Sequence, residues 1–116
     1  MNAENINEVN YFNELNCAVT ICDMQGTVIY CNEKSKQTFA KYGDLIGKNL
    51  KDCHSPQSWE KILQLLQKNE TNVYTIEKDG QKKLIYQTPW HENGEVKGLM
   101  EFSFILPFEM PHYIRS

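Results

Sequence analysis

Residues 18–32 read Ala-Val-Thr-Ile-Cys-Asp-Met-Gln-Gly-Thr-Val-Ile-Tyr-Cys-Asn. Two runs rich in β-branched residues, 19–22 and 27–31, flank a polar segment that contains Asp23 and Gly26. β-Branched side chains suit a pleated surface, and Asp and Gly are typical of a chain reversal. The stretch therefore predicts a β-hairpin.

A short helix is predicted directly after this hairpin. Asn32 lies where the apolar spacing changes from strand-like to helical, so we expect it to cap the helix by accepting from free backbone N–H groups. Gly43 marks the end of the helix. Side chains at steps of three or four residues share one face of it, namely Ser35, Thr38, Phe39 and Tyr42.

A longer helix is predicted in the middle of the chain. Ser55 is the expected N-cap, and Pro56 suits the first helical position because that position needs no N–H partner. Residues 68–72 end the helix. Its buried face is predicted to contain Trp59, Ile62, Leu63 and Leu66.

Three strands are predicted in the last third, at 73–78, 83–90 and 96–106. Asp79-Gly80 and Asn93-Gly94 are hairpin signals between them. Pro89 cannot donate to a sheet ladder, so we expect an irregularity near it. Two strands, helices and three more strands predict an α+β fold, an antiparallel sheet with helices on one face.

This ordered set resembles a PAS domain. The hairpin with Asp and Gly, the Asn that begins a helix, and Leu45-Ile46-Gly47 follow the family pattern, over about Leu15 to Phe104. Cys53-His54-Ser55-Pro56 is similar to the Cys-His-Pro-Pro-like residues of one bacterial group. The resemblance implies a five-stranded antiparallel PAS fold with an N-terminal capping helix.

Three segments are expected from this resemblance: a capping or dimerisation helix at 1–16, the PAS domain at 17–106 and a tail at 107–116. The apolar residues of the first segment recur at three-residue steps, at Ile6, Val9, Phe12 and Leu15, and a frayed terminus is the alternative. In the tail, Pro107 and Pro111 replace the family's usual link to a signalling helix. The chain is therefore read as a free-standing module or a fragment.

Composition indicates one cytoplasmic domain. The formal net charge is −3 without a basic cluster, which argues against nucleic acid as a direct partner. A leader peptide and a long apolar run are both missing from the sequence, so we expect neither secretion nor membrane insertion. The four cysteines are expected to be reduced, and no metal site is expected.

Alternation along the last two strands separates a pocket face from an outer face. Alignment with PAS flavoproteins implies that five strand residues face a ligand pocket, namely Ile85, Gln87, Leu99, Glu101 and Ser103. Residues of the two helices are expected to line the same pocket, namely Phe39, Trp59, Ile62, Leu63 and Leu66. The alternative is that the polar members bond one another in a filled interior. The outer face needs a cover, and a homodimer is expected to use Phe12, Leu15, Tyr86, Trp90, Met100 and Phe102.

Cys53 and His54 are expected at the mouth of the pocket, where His54 orders the start of the long helix. Haem is disfavoured because that helix has no His between Ser58 and Asn69. Photoactive flavin is disfavoured because the family's Asn-Cys-Arg-Phe-Leu-Gln motif is missing. The cofactor is therefore left unknown.

The resemblance implies a sensory or regulatory module in signal transduction, with a small ligand, a second copy or a signalling protein as partner. No catalytic residue is assigned. One alternative is a small pocket enzyme in which Glu101 or His54 acts as general base. The other is a dimerisation domain with no ligand.

Overall fold

The computed structural model describes residues 10–116. These residues form five strands and two α-helices, with short 3₁₀ turns at Ala40–Tyr42 and Leu50–Asp52. In chain order the elements are β1 (Ala18–Asp23), β2 (Val28–Cys31), α1 (Glu33–Thr38), α2 (Pro56–Lys68), β3 (Asn72–Lys78), β4 (Gln81–Glu92) and β5 (Glu95–Leu106). The five predicted strands and the two helices predicted after Asn32 and Ser55 are confirmed, although the helix after Asn32 is shorter than expected and continues as a separate 3₁₀ turn.

The five strands form one sheet in the order β2-β1-β5-β4-β3, with antiparallel pairing throughout. The first and last strands of the chain are therefore neighbours, and β5 lies at the centre. Pairs of residues with positive φ, Asp79-Gly80 and Asn93-Gly94, make the two hairpins of the second half. This geometry is that of the two-residue turns that Asp-Gly and Asn-Gly favour.

The predicted helix starts are confirmed. The Asn32 side chain accepts from the Ser35 N–H at α1, and the Ser55 side chain accepts from the Ser58 N–H at α2. Pro56 occupies the first turn of α2, and Gly43 ends the 3₁₀ turn with a φ of 74°. Both α-helices therefore begin where side chains replace the missing backbone acceptors.

Helix α2 packs on one end of the sheet. Its buried residues are Ile62, Leu65 and Leu66, whereas Trp59 and Leu63 are half-buried. Leu65 was not in the predicted face, because the apolar stripe of this helix is wider than the one inferred from spacing. The core cluster that α2 joins contains Cys22, Val28, Cys31, Leu45, Leu50 and Leu99.

The expected irregularity in β4 is present beside Pro89. The ladder between β4 and β5 shifts register between Trp90 and His91. The Trp90 indole N–H donates to the Cys22 carbonyl at 3.0 Å and passes over Gly98. A Cβ at position 98 would collide with both groups, so only glycine fits there.

The N-terminal helix predicted for 1–16 lies mostly outside the described residues. Within the described part, Tyr11–Glu14 form a turn rather than the continuation of a helix. The turn is held against the start of α1, since Asn32 Nδ2 donates to the Phe12 carbonyl and the Glu33 N–H donates to the Asn13 carbonyl. The expectation of a helix through residues 10–16 is therefore wrong.

Residues 107–116 follow β5 without regular secondary structure. Large apolar side chains of this tail are exposed, at Phe108, Met110, Tyr113 and Ile114. The longest helix in the described part of the chain, α2, has 13 residues. A membrane-spanning helix needs about 20, and no helix of residues 10–116 meets that requirement.

Replacement of Asn32 by alanine should destabilise the domain more than any other Asn→Ala substitution near the first hairpin. Asn32→Ala removes four hydrogen bonds, because Asn32 donates to the Phe12 and Cys17 carbonyls and accepts from the Val19 and Ser35 N–H groups. Because unsatisfied buried groups cost about 1–3 kcal/mol each, we expect a loss of about 3–5 kcal/mol in the free energy of unfolding, measured with urea.

Asn49→Ala is the matched control. Asn49 also caps a helical turn and donates to the Gln25 carbonyl, but both bonds are accessible to water. Its loss should cost only about 1 kcal/mol. Equal losses of unfolding free energy in the two variants would show that the buried hydrogen bonds of Asn32 stabilise the domain no more than exposed ones.

Candidate functional site

The face of the sheet that the helices cover carries side chains in rows across the strands. One row runs Asn72, Gln87, Glu101 and Thr20 across β3, β4, β5 and β1. The next row, two residues further along each strand, runs Tyr74, Ile85, Ser103 and Ala18. Successive rows are about 7 Å apart in an antiparallel sheet.

A pocket of about 190 Å³ opens over these rows. Apolar side chains make much of its wall, including Phe39 from the end of α1 and Ile76 and Ile85 from the sheet. The polar and charged lining residues are Thr20, Thr38, His54, Tyr74, Lys78, Lys83, Glu101 and Ser103. Apolar walls with a few converging polar groups are typical of small-molecule sites.

A chain of hydrogen bonds orients the carboxylate in this pocket. Asn72 Nδ2 donates to Gln87 Oε1 at 3.0 Å, and Gln87 Nε2 donates to Glu101 Oε1 at 2.8 Å. Gln87 is almost fully buried, at 4% exposure, so its amide is fixed by these two neighbours. The second carboxylate oxygen, Oε2, takes no part in this chain.

His54 also lines the pocket, and one of its ring nitrogens is bonded within its own loop. Its Nδ1 lies 2.8 Å from the Leu50 carbonyl oxygen, which can only accept, so Nδ1 carries the proton. In the neutral imidazole Nε2 is then the acceptor. The structure therefore places the two proposed bases, Glu101 and His54, around the same pocket.

Several residues expected in the pocket lie elsewhere. Phe39, Ile85, Glu101, Ser103 and His54 line it. The others are placed in the core or beside it, because α2 crosses the end of the sheet near Leu99 and fills that end with its own side chains. The expected pocket residues that lie outside the wall are Trp59, Ile62, Leu63, Leu66, Leu99, Gln87 and, at the mouth, Cys53.

Gln87 and Trp59 lie outside the pocket wall for different reasons. Gln87 lies on the inner face but borders a shallower depression beside Gln57 and Lys61 of α2. Trp59 packs over Gly26 of the first hairpin, where a Cβ would collide with the indole ring. Trp59 therefore fixes the hairpin to α2 instead of lining the pocket.

The pocket also contains residues that the sequence analysis missed. Tyr74, Ile76 and Lys78 of β3 alternate toward it, and Lys83 of β4 does so as well. A signal for them was available, since a two-residue turn at Asp79-Gly80 requires Ile76 to pair with Lys83 and Tyr74 with Ile85. The remaining missed residues are Ala18, Thr20 and Thr38.

The opposite, outer face of the sheet is partly apolar and partly exposed. Phe102 and Phe104 stack with ring centroids 5.8 Å apart, and Phe102 pairs across the sheet with Tyr86. Val73 and Tyr86 are 50% and 38% exposed. We call Val73, Tyr86, Met100 and Phe102 the outer-face patch.

Of the other residues expected at a dimer interface, Phe12 and Leu15 lie in or beside the N-terminal turn, each 39% exposed. Trp90 is half-buried and its indole N–H is already bonded to the Cys22 carbonyl. Its hydrogen bond gives Trp90 a role within the sheet whether or not a second copy binds.

The four cysteines are free thiols, as expected. Burial raises the pKa of Cys22 to about 11, so this thiol stays protonated near neutral pH and is a poor nucleophile. Among residues 10–116 no group of three or more His, Cys, Asp and Glu side chains converges on a metal-sized site.

The sequence matches the family model described as PAS domain over residues 16–102. Since the match spans most of the chain, this protein belongs to the PAS domain family. Domains of this family are typical of sensory modules in histidine kinases and other signalling proteins. A search of curated protein sequences finds no match to the chain.

Solved structures show the same fold. The PAS domain of the histidine kinase ThkA is 19% identical with a TM-score of 0.62, covering 77% of this chain and 98% of that one. A PAS domain from Colwellia psychrerythraea is 20% identical with a TM-score of 0.61, over 82% of this chain and 90% of that one. A C-terminal domain from Streptococcus mutans is 17% identical with a TM-score of 0.64, over 79% and 77%. The predicted PAS fold is confirmed.

Titration of Tyr74 should report the charge in the pocket. Burial raises the pKa of the Tyr74 phenol, and the Glu101 carboxylate raises it further by opposing the phenolate. Glu101→Gln removes the second cause, so we expect the Tyr74 pKa to fall while remaining above that of an exposed tyrosine. The measurement is the pH dependence of the Tyr74 ring-carbon shift by NMR.

Glu95→Gln is the control for that titration, because it removes a carboxylate from the far end of β5, where Glu95 pairs with Lys97. The Tyr74 pKa should be unchanged in this variant. A Tyr74 pKa that is the same in wild type and Glu101→Gln would mean that the two side chains do not share the pocket in solution.

Proposed function

We propose that this chain is a sensory or regulatory module that binds a small molecule in the inner-face pocket and acts through a homodimer formed by its outer-face patch. The observation that carries the ligand-binding part is the pocket itself. It has a volume of about 190 Å³, apolar walls and oriented polar groups, which are the features of small-molecule sites.

A route from the pocket to the N-terminal segment supports a sensory role. Ala18 lines the pocket, and the preceding residue, Cys17, gives its carbonyl to Asn32 Nδ2. The same Nδ2 donates to the Phe12 carbonyl in the N-terminal turn at 2.8 Å. A ligand that displaces the start of β1 would therefore change how residues 10–16 are held, and so bias two docking states of that segment.

The outer-face patch supports the homodimer. Val73, Tyr86, Met100 and Phe102 lie on adjacent strands, so their exposed apolar surface is continuous across β3, β4 and β5. Continuous apolar surface of this kind is typical of interaction sites. A twofold pairing of two such patches would bury the same residues in both copies.

Filling the pocket from the edge strand tests ligand binding. Ile76 lines the pocket from β3, which has a neighbour on one side only, so Ile76→Trp should occupy the cavity without disturbing the core. In a fragment screen by ligand-observed NMR, we expect compounds that bind wild type to bind Ile76→Trp at least about tenfold more weakly.

Thr75→Trp is the matched control, since it adds the same ring to the opposite face of the same strand. It should bind the fragments as wild type does. The ligand-binding function is contradicted if no compound in the screen distinguishes wild type from Ile76→Trp while both proteins remain folded by circular dichroism.

A charge in the centre of the outer-face patch should break the homodimer. Tyr86 lies between its cross-strand neighbours Val73 and Phe102, so Tyr86→Glu would bury a carboxylate in the interface. We expect wild type to be a dimer and Tyr86→Glu a monomer by light scattering at high micromolar concentration. Gln81→Glu, at an exposed site on the same strand, should remain a dimer, and a monomeric wild type would contradict this part of the proposal.

A further inference from the structure

The charges around the inner-face pocket are separated by sign. Glu101 lies in the same row as Gln87, which orients its carboxylate. Lys83 lies two rows further along the sheet, where it pairs with Ile76 and Ile105. Lys78 lies beyond it, at the hairpin that joins β3 to β4. Two row spacings put the backbones of Glu101 and Lys83 about 14 Å apart.

These charges are not paired with one another. The ion pairs found in residues 10–116 join Glu33 to Lys36 and Glu95 to Lys97. Within the same part of the chain, Glu101 is bonded through one oxygen by Gln87, and its other oxygen is left for another donor. An anionic end and a cationic end thus face a single cavity, and the row between them carries Ile85 together with the uncharged polar groups of Tyr74 and Ser103.

The middle of the cavity is suited to a ring or a short hydrocarbon segment. Ile85 lies in the row between those of Glu101 and Lys83, and Phe39 and Ile76 add apolar surface to the lining, Ile76 from the edge strand. The volume of about 190 Å³ is below the roughly 300–1,000 Å³ of pockets that take drug-sized ligands. The occupant must therefore be small, with room for one ring and a substituent at each end.

We propose, on the basis of the ligand-binding function above, that the pocket takes a small zwitterion whose cationic group binds Glu101 and whose anionic group binds Lys83 and Lys78. Glu101 and Lys83 are both half-buried, so an ionic contact to either is less screened than one at an open surface. A ligand with one charge satisfies only one end and leaves the charge at the other end without a partner from the ligand. The pocket should therefore prefer a ligand with two separated opposite charges over a ligand with one charge.

Three probes of nearly the same size and shape test this ligand class. Para-(aminomethyl)benzoate carries an ammonium and a carboxylate at opposite ends of one ring. Para-toluate lacks the ammonium, and para-methylbenzylamine lacks the carboxylate. By NMR titration of the full chain, we expect the zwitterion to bind at least about tenfold more tightly than either singly charged probe, since hydrogen bonds between charged groups are worth that much.

Variants at each end should produce a crossed pattern. Glu101→Gln keeps a hydrogen-bonding group of the same size, and should weaken the zwitterion and para-methylbenzylamine about tenfold but leave para-toluate unchanged. Lys83→Met should weaken the zwitterion and para-toluate but leave para-methylbenzylamine unchanged. Lys82→Met is the control for that variant, because Lys82 alternates to the outer face and should change none of the three affinities.

Two results would overturn the ligand class. One is para-toluate or para-methylbenzylamine binding as tightly as the zwitterion, and the other is no shift of pocket resonances with any of the three probes. Neither result decides whether the pocket binds small molecules at all. That question is answered separately by the fragment screen with Ile76→Trp, which uses compounds of every charge.

Discussion

One buried amide connects the parts of this fold that lie far apart in the sequence. The side chain of Asn32 is fully buried and makes four hydrogen bonds. Its oxygen accepts from Val19 of β1 and from Ser35 of α1, and its nitrogen donates to the carbonyls of Phe12 and Cys17. Strand, helix and N-terminal turn are therefore held at one point, and a residue that only donates or only accepts could not replace it.

The pocket depends on the hydrogen bonds of Asn32, because they hold the helix that forms part of the pocket wall. Ser35, which Asn32 caps, is fully buried, and its hydroxyl lies 2.5 Å from that of Thr20 on the pocket wall. The end of the same helix supplies Phe39 and Thr38 to the cavity. The position of α1 over the sheet, and hence the space beneath it, is set by these polar contacts together with the packing of Phe39 on the core. Such contacts are directional, so they specify the position of α1 more closely than the apolar side chains alone would.

Local chemistry was enough to predict most of the fold, because turns and caps depend on neighbouring residues. Gly43 ends a helical turn and Ser55 caps α2, as their residue types predict. The Asp-Gly and Asn-Gly pairs likewise form the two hairpin turns. The pocket was only partly predictable. Spacing shows that Ile62 and Leu66 are buried, but which end of the sheet they cover is a tertiary property set by packing on Cys22, Val28 and Leu99. The register of β3 against β4 could have been predicted from the Asp79-Gly80 turn. With that register, Ile76 and Lys83 could have been assigned to the pocket.

The row that contains Glu101 is difficult to explain as a device for stability alone. A partly buried carboxylate contributes less to folding than a well-packed apolar side chain of similar volume, because its desolvation offsets much of the gain from its partners. Here two further polar side chains, Gln87 and Asn72, are arranged to orient that carboxylate. Apolar residues at all three positions would give a simpler core and would satisfy the same strand pairing. The cost of a hydrogen-bonded polar row is more readily understood when the second carboxylate oxygen, which has no hydrogen-bond partner within residues 10–116, has a partner outside the chain. The proposed ligand meets that condition.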